Sequence, residues 1–161
     1  MANRFAVVDG GNFNSTATWS TTYNGAGGAS VPVAGDTALA NGKTVNVTAN
    51  ATCDYVRSDV VSSSVAGGKF VLSDGVTLTA NVQAGGGTAG TGCVEYAGNS
   101  PNQAYIVGNV VQSLTSTTQC GAKNTGTGTL NITGQVGPAT NGNNNNGVYN
   151  ASTGTLNITG N

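Results

Sequence analysis

The heptapeptide Gly-Thr-Leu-Asn-Ile-Thr-Gly occurs twice, at Gly128–Gly134 and Gly154–Gly160, a step of 26 residues. A fixed period of this size is the mark of stacked coils that each contribute one strand per sheet, so the repeat predicts an all-β chain built as a β-solenoid (β-helix). The register extends backwards. Ile106-Val107-Gly108-Asn109-Val110 lies 26 residues before Ile132-Thr133-Gly134-Gln135-Val136, and Ile158-Thr159-Gly160-Asn161 follows by the same step. The apolar residue and the glycine hold their places while the polar positions drift, which is what a buried column and a tight corner require.

Composition agrees with this and excludes much else. Only 7% of the 161 residues are charged, and there is no histidine. Helices rely on Glu, Lys, Arg and Leu, which are scarce here, whereas Val and Thr favour strands. The net charge is −1, with neither sign clustered. A nucleic-acid partner needs a basic stripe, and there is none. No apolar run reaches the roughly 18 residues of a membrane span, so no membrane partner is expected. The opening Met-Ala-Asn-Arg-Phe lacks the apolar core of a secretory signal, which predicts assembly in a cytosol.

Along the chain, residues 1–41 read differently from the rest. They hold the single Trp19 and a glycine cluster at Gly25, Gly27 and Gly28. Phe5, Val7 and Val8 suggest a short strand ended by Asp9-Gly10-Gly11, and Trp19, Tyr23, Val31 and Val33 could cover the exposed end of a solenoid. This segment is read as an N-terminal β cap and attachment region, with Phe5, Val7, Trp19, Tyr23, Val31 and Pro32 as its candidate contact residues. From residue 42 to 161 short strands and turns alternate. Lys43–Thr48 and Val76–Val82 alternate with period two, Tyr55-Val56, Val60-Val61 and Phe70-Val71-Leu72 supply further faces, and Val47–Asn50 matches Leu78–Asn81. Gly85–Gly92 and Asn141–Asn146 read as corner loops. The second heptapeptide stops within a coil at Asn161, which predicts solenoid continuing beyond it.

Chemistry is thinly provided for. Glycosidic hydrolysis needs two carboxylates across a groove, and Asp54, Asp59 and Glu95 are the only candidates. Asp9, Asp36 and Asp74 stand in turn-like text, where bonding to nearby backbone is the simpler role. Without histidine no Ser-His-Asp or Cys-His pair is available. Cys53, Cys93 and Cys120 have no metal-ligand spacing and read as buried thiols. Cys93 and Cys120, 27 residues apart, are placed in neighbouring rungs as possible stacked thiols. No metal or cofactor is predicted. Thr129/Thr155 and Thr133/Thr159 stack by the repeat; such ladders bind ice or polysaccharide in some solenoids and are plain outward positions in others.

Met1-Ala-Asn-Arg-Phe5, Ala17-Thr-Trp-Ser20, Gly27-Gly-Ala-Ser-Val-Pro32, Asp36-Thr37 and Lys43-Thr-Val-Asn-Val-Thr-Ala-Asn-Ala-Thr-Cys53 resemble the opening of tailed-bacteriophage virion proteins. Those proteins begin Met-Ala-Asn-Arg-Tyr-Trp-Val-Gly-Gly and continue into Gly/Thr/Asn-rich β-solenoid repeats. This chain departs from them at Ala6 and Val8-Asp9. The resemblance covers about a third of the chain and implies a structural role, as a fibre or decoration subunit, with no catalytic residues. The expectation is a virion structural protein assembled in host cytoplasm, docked on capsid or tail proteins by residues 1–41, trimeric, with a host-surface glycan as a possible further partner. The rivals are a polysaccharide-degrading tailspike and a cellular surface filament or adhesin.

Overall fold

A computed structural model describes residues 1–58, 67–85, 92–111, 120–137 and 147–160. The expected Val60-Val61 face, the Asn141–Asn146 loop, most of the Gly85–Gly92 loop, and Asp59 and Asn161 lie outside these residues. The chain is an all-β β-solenoid. Its strands are β1 (Asn3–Ala6), β2 (Gly11–Asn12), β3 (Trp19–Ser20), β4 (Thr37–Leu39), β5 (Thr44–Val47), β6 (Ala51–Arg57), β7 (Lys69–Leu72) and β8 (Thr77–Gln83). They continue as β9 (Gly92–Tyr96), β10 (Gln103–Val107), β11 (Val110–Val111), β12 (Cys120–Asn124), β13 (Thr129–Thr133), β14 (Val136–Gly137), β15 (Val148–Asn150) and β16 (Thr155–Thr159). A single turn of 3-10 helix, Thr16–Thr18, precedes β3.

Two sheets face each other across the core. Sheet A has ten strands, running β16-β13-β10-β8-β6-β4-β1-β3, with β11 and β14 beside its later members. Sheet B has six, in the order β15-β12-β9-β7-β5-β2. Among the described residues every strand pairing is parallel except that of β1 with β3, which is antiparallel. Alternation sets the faces. In β13, Leu130 and Ile132 are buried while Thr129, Asn131 and Thr133 turn outward.

Each interior position stacks on its counterpart one coil away. Leu78, Ile106, Ile132 and Ile158 form one column of sheet A, and Phe70, Val94, Ala122 and Val148 one of sheet B. Each fully buried aliphatic side chain contributes about 1.5–3 kcal/mol through burial, so the columns are the main adhesive along the axis. The two heptapeptides pair residue for residue, Thr129 with Thr155 through Thr133 with Thr159. The traced match between Ile106 and Ile132 is also the observed register.

One expected register differs. Val47–Asn50 does not stack on Leu78–Asn81: Val47 belongs to sheet B and pairs with Leu72, while Ala51 and Thr52 pair with Leu78 and Thr79. Both stretches alternate with period two, and alternation alone cannot say which sheet a strand joins. A bulge then shifts the count between Thr52 and Tyr55.

Residues 1–41 share the two sheets with the rest. β4 pairs with β6 in sheet A, and β2 pairs with β5 in sheet B. The 41/42 division falls between β4 and β5.

Candidate functional site

The first coil closes the core with aromatic side chains. Phe13 and Trp19 are fully buried and meet edge-on, with ring centroids 5.3 Å apart, and Phe13 also packs on Phe70 at 6.3 Å. Aromatic pairs of this geometry add about 0.5–1.5 kcal/mol beyond burial. The Trp19 indole Nε1–H donates to Phe13 O at 2.7 Å, so the ring is buried with its one polar group satisfied. Trp19 can sit there because β3 turns back antiparallel on β1, with Phe5 opposite Ser20 and Ala6 opposite Trp19. A two-residue antiparallel strand offers little edge for further parallel addition.

Of the candidate attachment residues, Trp19 and Pro32 are buried, and Val31 is half-buried against the core. They build the closing coil from inside. Phe5 and Val7 are half-buried. Tyr23 is 41% exposed and packs edge-on against Phe5 at 6.3 Å. Three apolar residues outside the candidate set are fractionally more exposed: Met1 at 89%, Val8 at 43% and Val33 at 55%. Val8 and Val33 were visible as apolar residues next to turns, but sequence alone does not say which neighbour points outward. Gly27 approaches its neighbours so closely that a Cβ there would collide with Ala17 O, which accounts for part of the glycine cluster.

Asp36 fixes this coil. It is buried, accepts from Ala2 N (3.1 Å) and Val33 N (3.4 Å), and lies 3.7 Å from the Arg4 guanidinium, which donates to Ser30 Oγ at 2.9 Å. Asp9 reaches the next coil: its Oδ1 accepts from Thr44 N at 2.7 Å, and this bond is the main reason its carboxyl titrates below the usual range. Asp74 accepts from Tyr96 Oη and Asn102 Nδ2, both at 2.8 Å. Burial, and then the bond to Asp74, push the Tyr96 hydroxyl's pKa up, so it remains a donor. The turn-like aspartates therefore bond backbone or neighbours, and their partners lie mostly in other coils.

Of the carboxylates considered for hydrolysis, Asp54 and Glu95 are not brought together. Asp54 lies in β6 of sheet A and Glu95 in β9 of sheet B, with the apolar core between the sheets. Glu95 is held by Lys69 Nζ at 2.7 Å and accepts from Gly92 N at 3.1 Å. Among the described residues no group of three or more His, Cys, Asp or Glu converges as a metal site.

The cysteines are buried thiols. Burial raises the Cys53 pKa to about 12 and that of Cys120 to about 11. Cys120 pairs with Gly92, so it stands one place out of register with Cys93, and the two do not share a column. The step here is 28 residues, and the single-residue difference turns alternate side chains to opposite faces. The Cys93 thiol instead points across the core to Val56 O, at 3.8 Å.

A buried polar corner went unread in the sequence. Asn124 is fully buried; its Nδ2 donates to Gly128 O (3.0 Å) and Thr155 O (3.1 Å), and its Oδ1 accepts from Gly126 N (3.3 Å). Asn150 pairs with it one coil on and donates to Gly154 O at 2.6 Å. The signal was present, since an asparagine stands four residues before each heptapeptide. No protein-family model, curated protein or solved structure matches the chain.

Proposed function

We propose that the chain is a bacteriophage virion structural protein, a fibre or capsid-decoration subunit assembled in host cytoplasm and docked through its first coil. The observation that carries this reading is the asymmetry of the first coil. Its aromatic residues close the core, while Tyr23, Val8 and Val33 leave apolar surface at that end. Exposed apolar residues also stand on later coils, at Val107, Tyr149 and Ile158, but in the first coil they accompany an aromatic-closed core, a combination that suits attachment to another protein. The partners in this reading are capsid or tail proteins and two further copies of the chain in a trimer, and the protein acts by shape without catalysis.

Purified particles of the phage encoding the chain are the test. Mass spectrometry should find it there in stoichiometric amount, and Val33→Asp with Tyr23→Ala should deplete it from particles while the purified variant stays folded. Absence from all particle preparations overturns the reading. Depolymerisation of host polysaccharide by the pure protein would favour a tailspike instead, and head-to-tail polymers a surface filament.

A further inference from the structure

The outer face of sheet A over β10, β13 and β16 carries three columns of side chains set by strand register. Gln103, Thr129 and Thr155 form one; Tyr105, Asn131 and Asn157 the second; Val107, Thr133 and Thr159 the third. The last column continues through Thr79 and Thr52. None of these side chains is charged. The nearest acid in the adjoining turn, Asp74, is occupied by Tyr96 and Asn102.

The middle column is ordered by hydrogen bonds within it and to Gln103 at the head of the first column. Asn157 Nδ2 donates to Asn131 Oδ1 at 3.0 Å, and Asn131 Nδ2 donates to Gln103 Oε1 at 3.1 Å. Asn131 Nδ2 also donates to Ala104 O at 3.5 Å, which uses both of its hydrogens, while each amide oxygen keeps a second lone pair to offer. Rows of hydroxyls flank this ladder, and the half-exposed Tyr105 ring lies at its head. Held amides, hydroxyls and an aromatic face are the groups that hydrogen-bond to, and stack on, an uncharged polyhydroxyl chain. Size decides against a protein partner. At about 3.3 Å per residue and about 4.8 Å per strand, the face covers roughly 200–300 Å². A stable protein interface needs about 800 Å² on each partner.

We propose that this face binds a neutral polysaccharide laid across the strands of sheet A. This binding does not depend on docking by the first coil, so either proposal can fail alone. The test titrates the full chain with cellohexaose, chitohexaose and maltohexaose, with dextran sulfate as the charged comparator, and follows the side-chain amide resonances of Asn131 and Asn157. At least one neutral oligosaccharide should move both resonances, and Tyr105→Ala should weaken that binding roughly tenfold. Thr133→Lys, an exposed change that raises a long side chain from the plane, should also weaken it and serves if Tyr105→Ala fails to fold. Tyr149→Ala, on sheet B, should leave it unchanged. The proposal is overturned if none of the three oligosaccharides moves the Asn131 and Asn157 resonances, if dextran sulfate binds as well as they do, or if Tyr105→Ala and Thr133→Lys both bind normally.

Discussion

The first coil and the coils from β10 to β16 solve opposite problems with the same two sheets. In the later coils each interior position holds nearly the same residue, Ile106 on Ile132 on Ile158, and one glycine marks the corner, Gly108, Gly134 and Gly160. Any such coil presents the next with a copy of itself. In the first coil the interior is not a copy of the next: Phe13 and Trp19 fill the end of the core, and β3 reverses direction. Extension is periodic because each coil must accept its own likeness. Closure is aperiodic because it must not.

The strongest test of that contrast is Trp19→Ala. Removing the indole leaves a cavity beside Phe13 and an unpaired carbonyl, at an expected cost of about 3–5 kcal/mol. Ile132→Val, within a repeated column, should cost only about 0.5–1.5 kcal/mol. Urea unfolding of both variants measures the difference. Equal losses would mean that the first coil has no special part in holding the end.

The corner glycines come next. Gly134 has φ 149°, and a Cβ there would press on the Gly108 carbonyl of the coil before. Gly134→Ala should cost about 1–3 kcal/mol from the backbone conformation alone, and more from the collision. Gly137, three residues on, has nothing within 4 Å of a Cβ and no positive φ. Gly137→Ala should therefore stay within about 0.5 kcal/mol of the parent. Similar losses in the two thermal melts would show that the corner is not set by stacking.

Asn124→Ala removes the partner of two buried backbone groups and one part-buried one, and should cost about 1–3 kcal/mol. Asn150→Ala, at the matching but exposed position of the following coil, should cost less, because water replaces the lost bonds. Amide exchange at Gly126 should quicken in Asn124→Ala. An unchanged rate would remove Asn124 from its place as the corner's organiser.

How much of this was legible depended on repetition. The pairing of β13 with β16 could be read directly, because identical heptapeptides leave one in-register solution. The earlier coils could not, since the bulge between Thr52 and Tyr55 changes the count without altering the alternation around it. The candidate site was less readable still. Trp19 was recognisable as part of a cap, but its turn into the core while Val33 turns out depends on the reversal at β3, which no local pattern announces. Asn124 was hidden by composition: among so many asparagines, the buried one differs only in its partners.

The smallest predicted effect concerns how the aperiodic coil is fastened to the next one. Asp9 is fully exposed, yet its carboxylate accepts from Thr44 N beside the Gly10 N to Thr44 O bond, so ionisation and coil contact are linked. Its pKa is lowered in the folded chain, first by that backbone bond, so the unfolded state takes up a proton before the folded state does. The contribution is therefore present above the ordinary Asp value of about 3.9 and is lost as pH falls through the lower folded value. Asp9→Asn should be slightly less stable than the parent at neutral pH, and the gap should narrow below about pH 4. Added salt should shrink the neutral-pH gap as well, because an exposed charge is readily screened. Equilibrium unfolding at several pH values reads both effects. A gap that persists unchanged at pH 2 would mean that the contact works by shape alone, with the Asp9 side chain's charge irrelevant to fastening the first coil.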